Sequence, residues 1–332
     1  MITIALASHR PETLALARER MSQADVVILE EPPHPDFELM LEGDISISDY
    51  LISADIEYPE YGAQLLRLLR KMHLTGKQIV QVEPYLERLI DIHCRFANGA
   101  SVEGVLKNPF LREVYIAERK ATAALINFYR LSVEGSFQEI VDSVVRFAQV
   151  DAMRISLRDR LRAEKIADII KSFNDRTNVY IEAGYIHIGI FKNLHRLLKK
   201  HSKIRPFYVV EKIVRPLIKS KLVLSPGDRL TLGYIFNRKC SRKKAELLAA
   251  RSLIYVKLLE KDEIIPRNDQ DFPHTMDEIE ALKMLSKLDM EECHILFEKM
   301  RLMERTMGRI SSAECRKVVK EYLDKRTGSE ER

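Results

Sequence analysis

Two short, largely apolar stretches near the start of the chain, residues 2–7 and 24–30, stand one helix apart. Each predicts a buried strand, because a strand covered on both faces reads as a continuous apolar run. Ser8-His9-Arg10-Pro11-Glu12 lies between them. Ser8 or His9 can supply a polar cap there. Pro11 suits a first helical turn, where its missing N–H is not needed. Residues 13–21 then read as a helix. Strand, helix and strand within about 30 residues make a βαβ unit with parallel strands and a right-handed crossover.

The same punctuation recurs along the chain. Residues 76–84 read as a third strand ending in Glu83-Pro84, and residues 178–183 and 206–210 as further strands. Helices are predicted at 61–72, 85–97, 109–131, 136–149, 151–173 and from 188 to Lys200. Beyond Ser225-Pro226-Gly227-Asp228 the pattern is helical throughout, with a frayed tail at 327–332. The expected class is α/β: a mixed or mostly parallel central sheet flanked by many helices, with a helical C-terminal part. Absence of Trp and only 12 Gly in 332 residues fit a helix-rich chain better than an all-β one.

Other classes are excluded by composition. No apolar run approaches the length of about 18 residues that a membrane helix needs. The N-terminus lacks a basic leader region and so does not read as a signal peptide. Cys94, Cys240, Cys293 and Cys315 lie far apart without CxxC spacing, which argues for a reducing cytoplasm rather than a disulfide framework or cysteine zinc site.

Charge is unevenly placed. Residues 21–64 contain eleven acids and no Lys or Arg, whereas residues 192–251 contain seventeen Lys/Arg against Glu211, Asp228 and Glu246. The acidic stretch at 32–60 has weak periodicity and reads as a loop or lid at the strand ends. The basic segment reads as an anion or nucleic-acid surface, or as a solvated face opposing the acidic one within the fold or in a homo-oligomer. No aromatic-interleaved motif accompanies it, which argues against nucleic acid.

Ligands of open parallel sheets bind beyond the carboxyl ends of the strands. The predicted strands end in Ser8-His9, with Glu12 one turn into the next helix, in Glu30-Glu31, in Glu83 and in Glu182, with His187 just beyond. Two imidazoles and several carboxylates on one rim suit acid–base chemistry or a divalent metal. Neither a GxGxxG nor a Walker pattern follows a strand, and GxSxG and HExxH are absent.

Leu6-Ala7-Ser8-His9, the acid-bearing helix after it and the strand ending at Glu30 resemble the opening of the TraB/TIKI/erythromycin-esterase-like/ChaN superfamily, with Leu6 where that family has glycine. Its basic–acidic helix is resembled by Arg158-Asp159-Arg160-Leu161-Arg162-Ala163-Glu164. Its second GxxH motif is matched by Gly184-Tyr185-Ile186-His187. The resemblance implies an α/β core over residues 1–225 with an acidic insertion near 32–60, and a helical region over 226–332. It also implies one cleft holding His9, Glu12, Glu30, Arg158 and His187. Relatives include metal-dependent proteases, metal-independent esterases and haem binders. Where a divalent ion (Mn, Co or Zn) is used, His9, Glu30 and His187 would be its ligands.

The first expectation is therefore a hydrolase activating water against an ester or amide of a small molecule or peptide. The second is a non-catalytic sensor of a small ligand or metal. The third is an anion or nucleic-acid binder working through 192–251.

Overall fold

The first apolar run forms β1 (Ile2–Ala7), whose residues from Ile4 to Ala7 are buried, and it leads through the Ser8–Arg10 turn into α1 (Pro11–Ser22). The second forms β2 (Val26–Leu29), buried at every position. The computed structural model describes residues 1–174, 176–198, 203–238 and 240–330. In chain order there follow α2 (Phe37–Glu42), α3 (Ile47–Ser53), α4 (Pro59–Leu74), β3 (Gln78–Gln81), α5 (Pro84–Ala97), α6 (Val102–Lys107), α7 (Pro109–Glu134), α8 (Phe137–Lys171) and β4 (Val179–Gly184). A 3-10 turn (Tyr185–His187) opens α9 (Gly189–Leu197), and β5 (Ile204–Tyr208) and α10 (Glu211–Ile218) come next. The remainder is α11 (Pro226–Ile235), α12 (Arg242–Leu258), α13 (Pro273–Leu285), α14 (Met290–Met307) and α15 (Ser312–Glu330).

Among the described residues the sheet has five strands in the order β3-β2-β4-β1-β5, and every pairing is parallel. The chain is an α/β protein with a helical C-terminal part. β4 is the decisive strand. It comes about 150 residues after β2, yet it lies between β1 and β2, with Ile4 and Ile28 both opposite Ile181. Pro206 sits on the edge strand β5, where a missing N–H interrupts no inner ladder.

Two compact units divide the chain. The first takes Met1–Arg119, Met153–Leu222 and Glu263–Pro273; the second takes Lys120–Ala152, Val223–Asp262 and the chain from His274. The sheet belongs to the first. The second is helical and packs Ala249, Ile254, Leu285, Leu296, Met300 and Val319 into one core. Ser225 and Asp289 start α11 and α14 with reciprocal capping boxes. All four cysteines are free, and burial pushes the Cys293 thiol up to about 12, far from a reactive thiolate. No helix among the described residues is long and apolar enough to cross a membrane.

Several local expectations are corrected. The acidic stretch at 32–60 is not a loop: Phe37, Met40, Leu41 and Tyr50 sink α2 and α3 into the core beneath α4. Arg70 ties them down by donating to the carbonyls of Met40 and Ile45. The helices expected at 136–149 and 151–173 are one, because neither Gly nor Pro interrupts α8. No side chain caps α1 at its Arg10 N-cap; Thr13 Oγ1 instead reaches back to the carbonyls of Ser8 and Arg10, fixing the turn that carries His9. α9 ends at Leu197; residues 199–202 and 239, which fall in the basic segment, and 331–332, which fall in the tail expected to fray, lie outside the described residues.

Candidate active site

Parallel β1, β2 and β4 end side by side, so the residues after them share one rim. Glu30 follows β2 and its side chain is 5% exposed. Its Oε2 accepts the backbone N–H of Gly184 at 2.6 Å, the glycine of the GxxH segment. Its Oε1 lies 3.1 Å from His187 Nε2, and Arg162 Nη1 stands 3.4 Å from Oε2. Burial would raise the Glu30 pKa, but neighbouring His187, Arg162 and Arg158 hold it down to about 2, with His9 acting in the same direction.

His187 is gripped from its other side as well. Its Nδ1 lies 2.6 Å from Asp159 Oδ1. Burial disfavours the charged imidazole, yet the carboxylates of Glu30 and Asp159 raise its pKa above the ordinary value. Gly189 permits this approach, since a Cβ there would collide with Asp159 Oδ2. Asp159, Arg158 and Arg162 all come from α8. Arg162, 1% exposed, donates to the carbonyls of Val82 and Glu182 and so ties the ends of β3 and β4 together. Arg158 donates to Glu83 Oε2 at 3.2 Å and lies 3.8 Å from Glu30 Oε1.

A second group of residues lies on the His9 side of the rim. The His9 ring faces Tyr61 with centroids 5.5 Å apart. Tyr61 donates its hydroxyl to Glu182 Oε1 at 2.6 Å, and the Glu30 N–H donates to Glu182 Oε2. Burial and the neighbouring Glu182 carboxylate push Glu31 up to about 7, against the hydrogen bond from Gln81 and the charge of His9. A carboxyl in that range can give or take a proton at neutral pH. Gln81 Nε2 also donates to Tyr50, so the acidic segment contributes a hydroxyl here.

Of the five residues expected from sequence, Glu30, Arg158 and His187 are in direct contact, and His9 lies close enough to act on the charge of both Glu30 and Glu31. Glu12 is buried and lies in the wall of a cavity between α1 and α4. Sequence reading missed Asp159, Arg162, Tyr61 and Gln81 as parts of the site. Arg154, Arg158 and Arg162 recur every fourth residue, one stripe of a helix, and that spacing was the available signal for Arg162. The others carry no comparable mark. Arg160 turns away from the stripe and pairs with Glu113 and Glu164.

The donor set does not fit a divalent ion as arranged. Both nitrogens of His187 already face carboxylates, and two guanidiniums supply positive charge beside Glu30. Among the described residues, the group whose ligand atoms lie within 4.8 Å of one another is Glu38, Glu42 and His73, with both acids exposed. Four buried side-chain atoms in the cluster have no hydrogen-bond partner: Glu83 Oε1, Arg158 Nε, Asp159 Oδ2 and Arg162 Nη1. Buried polar atoms are normally satisfied, so these atoms are open to a water or ligand, Arg162 Nη1 also standing 3.4 Å from Glu30.

No family model matches the chain, and no solved structure matches it. The chain is similar to an uncharacterised protein of Archaeoglobus fulgidus, 32% identical over 290 residues that cover 87% of this chain and 95% of that one.

Proposed function

The chain belongs to one family with that Archaeoglobus protein, and we propose that it is a hydrolase of the TraB/TIKI/erythromycin-esterase-like kind that activates water against an ester or amide carbonyl. One observation carries this reading. The strand that leads into His187 lies between those that lead into His9 and Glu30; His187 contacts Glu30, and His9 lies near enough to act on its charge. In this reading His9 is the general base, since His187 has both nitrogens committed. Glu30 and Asp159 hold His187 charged, and that charge with Arg162 shapes the field over the rim. Arg158 meets the negative charge developing on the carbonyl oxygen, its buried Nε having no acceptor in the protein. No step is routed through a metal. The four free cysteines support a cytoplasmic setting.

The test is a screen of p-nitrophenyl esters and short peptides followed by His9→Ala. Turnover is expected to fall by about a hundredfold or more, as for a lost general base, with far-UV circular dichroism unchanged. Wild-type turnover in the variant would end the reading. The closed Asp159–His187–Glu30 chain favours a second one, a non-catalytic ligand sensor. That reading stands if the screen finds a ligand that shifts the melting temperature but no substrate.

A further inference from the structure

Away from the rim, a cavity of about 460 Å³ opens between α1, α4 and residues 266–269. Four cations line it: Arg18 from α1, Arg67 and Lys71 from α4, and Arg267. Only two acids do so. Asp269 faces Arg18 at 3.3 Å, and Glu12 is 2% exposed and engaged within the protein. The floor is apolar, with Leu14 and Leu68.

Arg67 and Lys71 distinguish this concavity from an ordinary solvated helix face. They stand four residues apart on one helix, where like charges repel. No acid occupies positions three or four residues away from either: Ala63, Gln64, Arg70, Leu68, Leu74 and Thr75 stand there. Elsewhere the exposed basic residues of helices often have such a partner, as Arg95 has Asp91, Lys107 has Glu103 and Arg242 has Glu246. An anion seated between α1 and α4 would relieve the repulsion, and the apolar floor would take a flat or hydrocarbon body attached to it.

We infer that this cavity binds a small phosphorylated molecule carrying at least two negative charges, with Arg67 and Lys71 as its principal contacts and Arg18 and Arg267 at the rim. The site is independent of the hydrolase reading: none of the residues given a role there lines it, and Glu12, expected in that cleft from sequence, lies in this wall instead.

Isothermal titration of the full chain with inorganic pyrophosphate and with ADP tests it. Both are expected to bind saturably below about 1 mM, ADP more tightly because of the floor, and both more weakly as salt rises because the contacts are ionic. The double variant Arg67→Glu/Lys71→Glu is expected to lose at least about tenfold in affinity with its melting temperature kept, a loss equal to about 1.4 kcal/mol. Lys243→Glu/Lys244→Glu, on the basic turn at the start of α12, is expected to bind as wild type. Failure of both probes to bind overturns the inference. So does an equal loss in the two double variants, which would mean diffuse attraction to a basic protein.

Discussion

Where the first unit sinks Glu83, Asp159, Arg162, Glu182 and His187 into its interior, the second fills comparable space with Ala249, Ile254, Leu296 and Val319. Among the described residues the second unit buries fewer charged or ionisable groups, Asp151, His274 and Glu292, and Glu292 serves a helix start and pairs with Arg326 at 2.7 Å. Charges in a protein interior are costly to bury and are tolerated only when closely paired, whereas apolar packing of similar volume is at least as stable. The polar interior of the first unit is therefore a poor solution for stability alone, and the helical unit shows that this chain has the means to build the better one. The contrast sets the strand ends of the first unit apart from the helical unit.

Three measurements probe that contrast. The largest effect is expected for Arg162→Met, which strips the Val82 and Glu182 carbonyls of their donor and leaves Glu30 short of a positive neighbour. Breaking a buried ionic network in this way costs about 3–5 kcal/mol in urea denaturation. A loss under about 1 kcal/mol would show that the charges are as replaceable as apolar side chains and remove the contrast.

Acid should act next. Glu30 is held near 2 in the fold against an ordinary 4.5. A carboxyl whose folded pKa is depressed contributes stability that is complete above the unfolded value and is lost as pH falls through the folded one. The window is therefore about pH 4.5 down to 2, and the contribution about 3 kcal/mol. Compared with wild type, Glu30→Gln should be less stable at about pH 6, and the deficit should shrink as pH falls through that window. A deficit that stays constant with pH contradicts the assignment.

The smallest effect is expected in the helical unit. Asp289→Ala removes the acceptor for the Glu292 N–H at the start of α14 and should cost about 1 kcal/mol. Turnover or ligand binding at the strand ends should not change; a change in either would mean that the helical unit sets the site.

Much of this was legible in the residues. Apolar stretches marked β1 and β2, and Pro11 marked a helix start because proline is tolerated in a first turn, whereas Pro84, read as the end of a strand, opens α5. Glu30 and Glu83 stood out as acids just past strand ends, and Glu182 as an acid near the end of its strand. The stretch at 32–60 misled because six- and seven-residue helices show too few turns for a period, and their burial comes from α4 rather than from their own pattern. Asp159 was hidden by its neighbours: between Arg158 and Arg160 it reads as a surface ion-pair partner, and only its packing against Gly189 turns it toward His187.

By itself, then, the sequence determined the local elements and which side chains stand at their ends, because propensity, capping and apolar patterning act within a few residues. Tertiary structure decided the strand order. Nothing near residue 180 in the chain says that β4 will pair with β1 on one side and β2 on the other. That choice depends on long-range hydrogen bonding and on covering both sheet faces at once, and it is what brings Gly184 and His187 to Glu30.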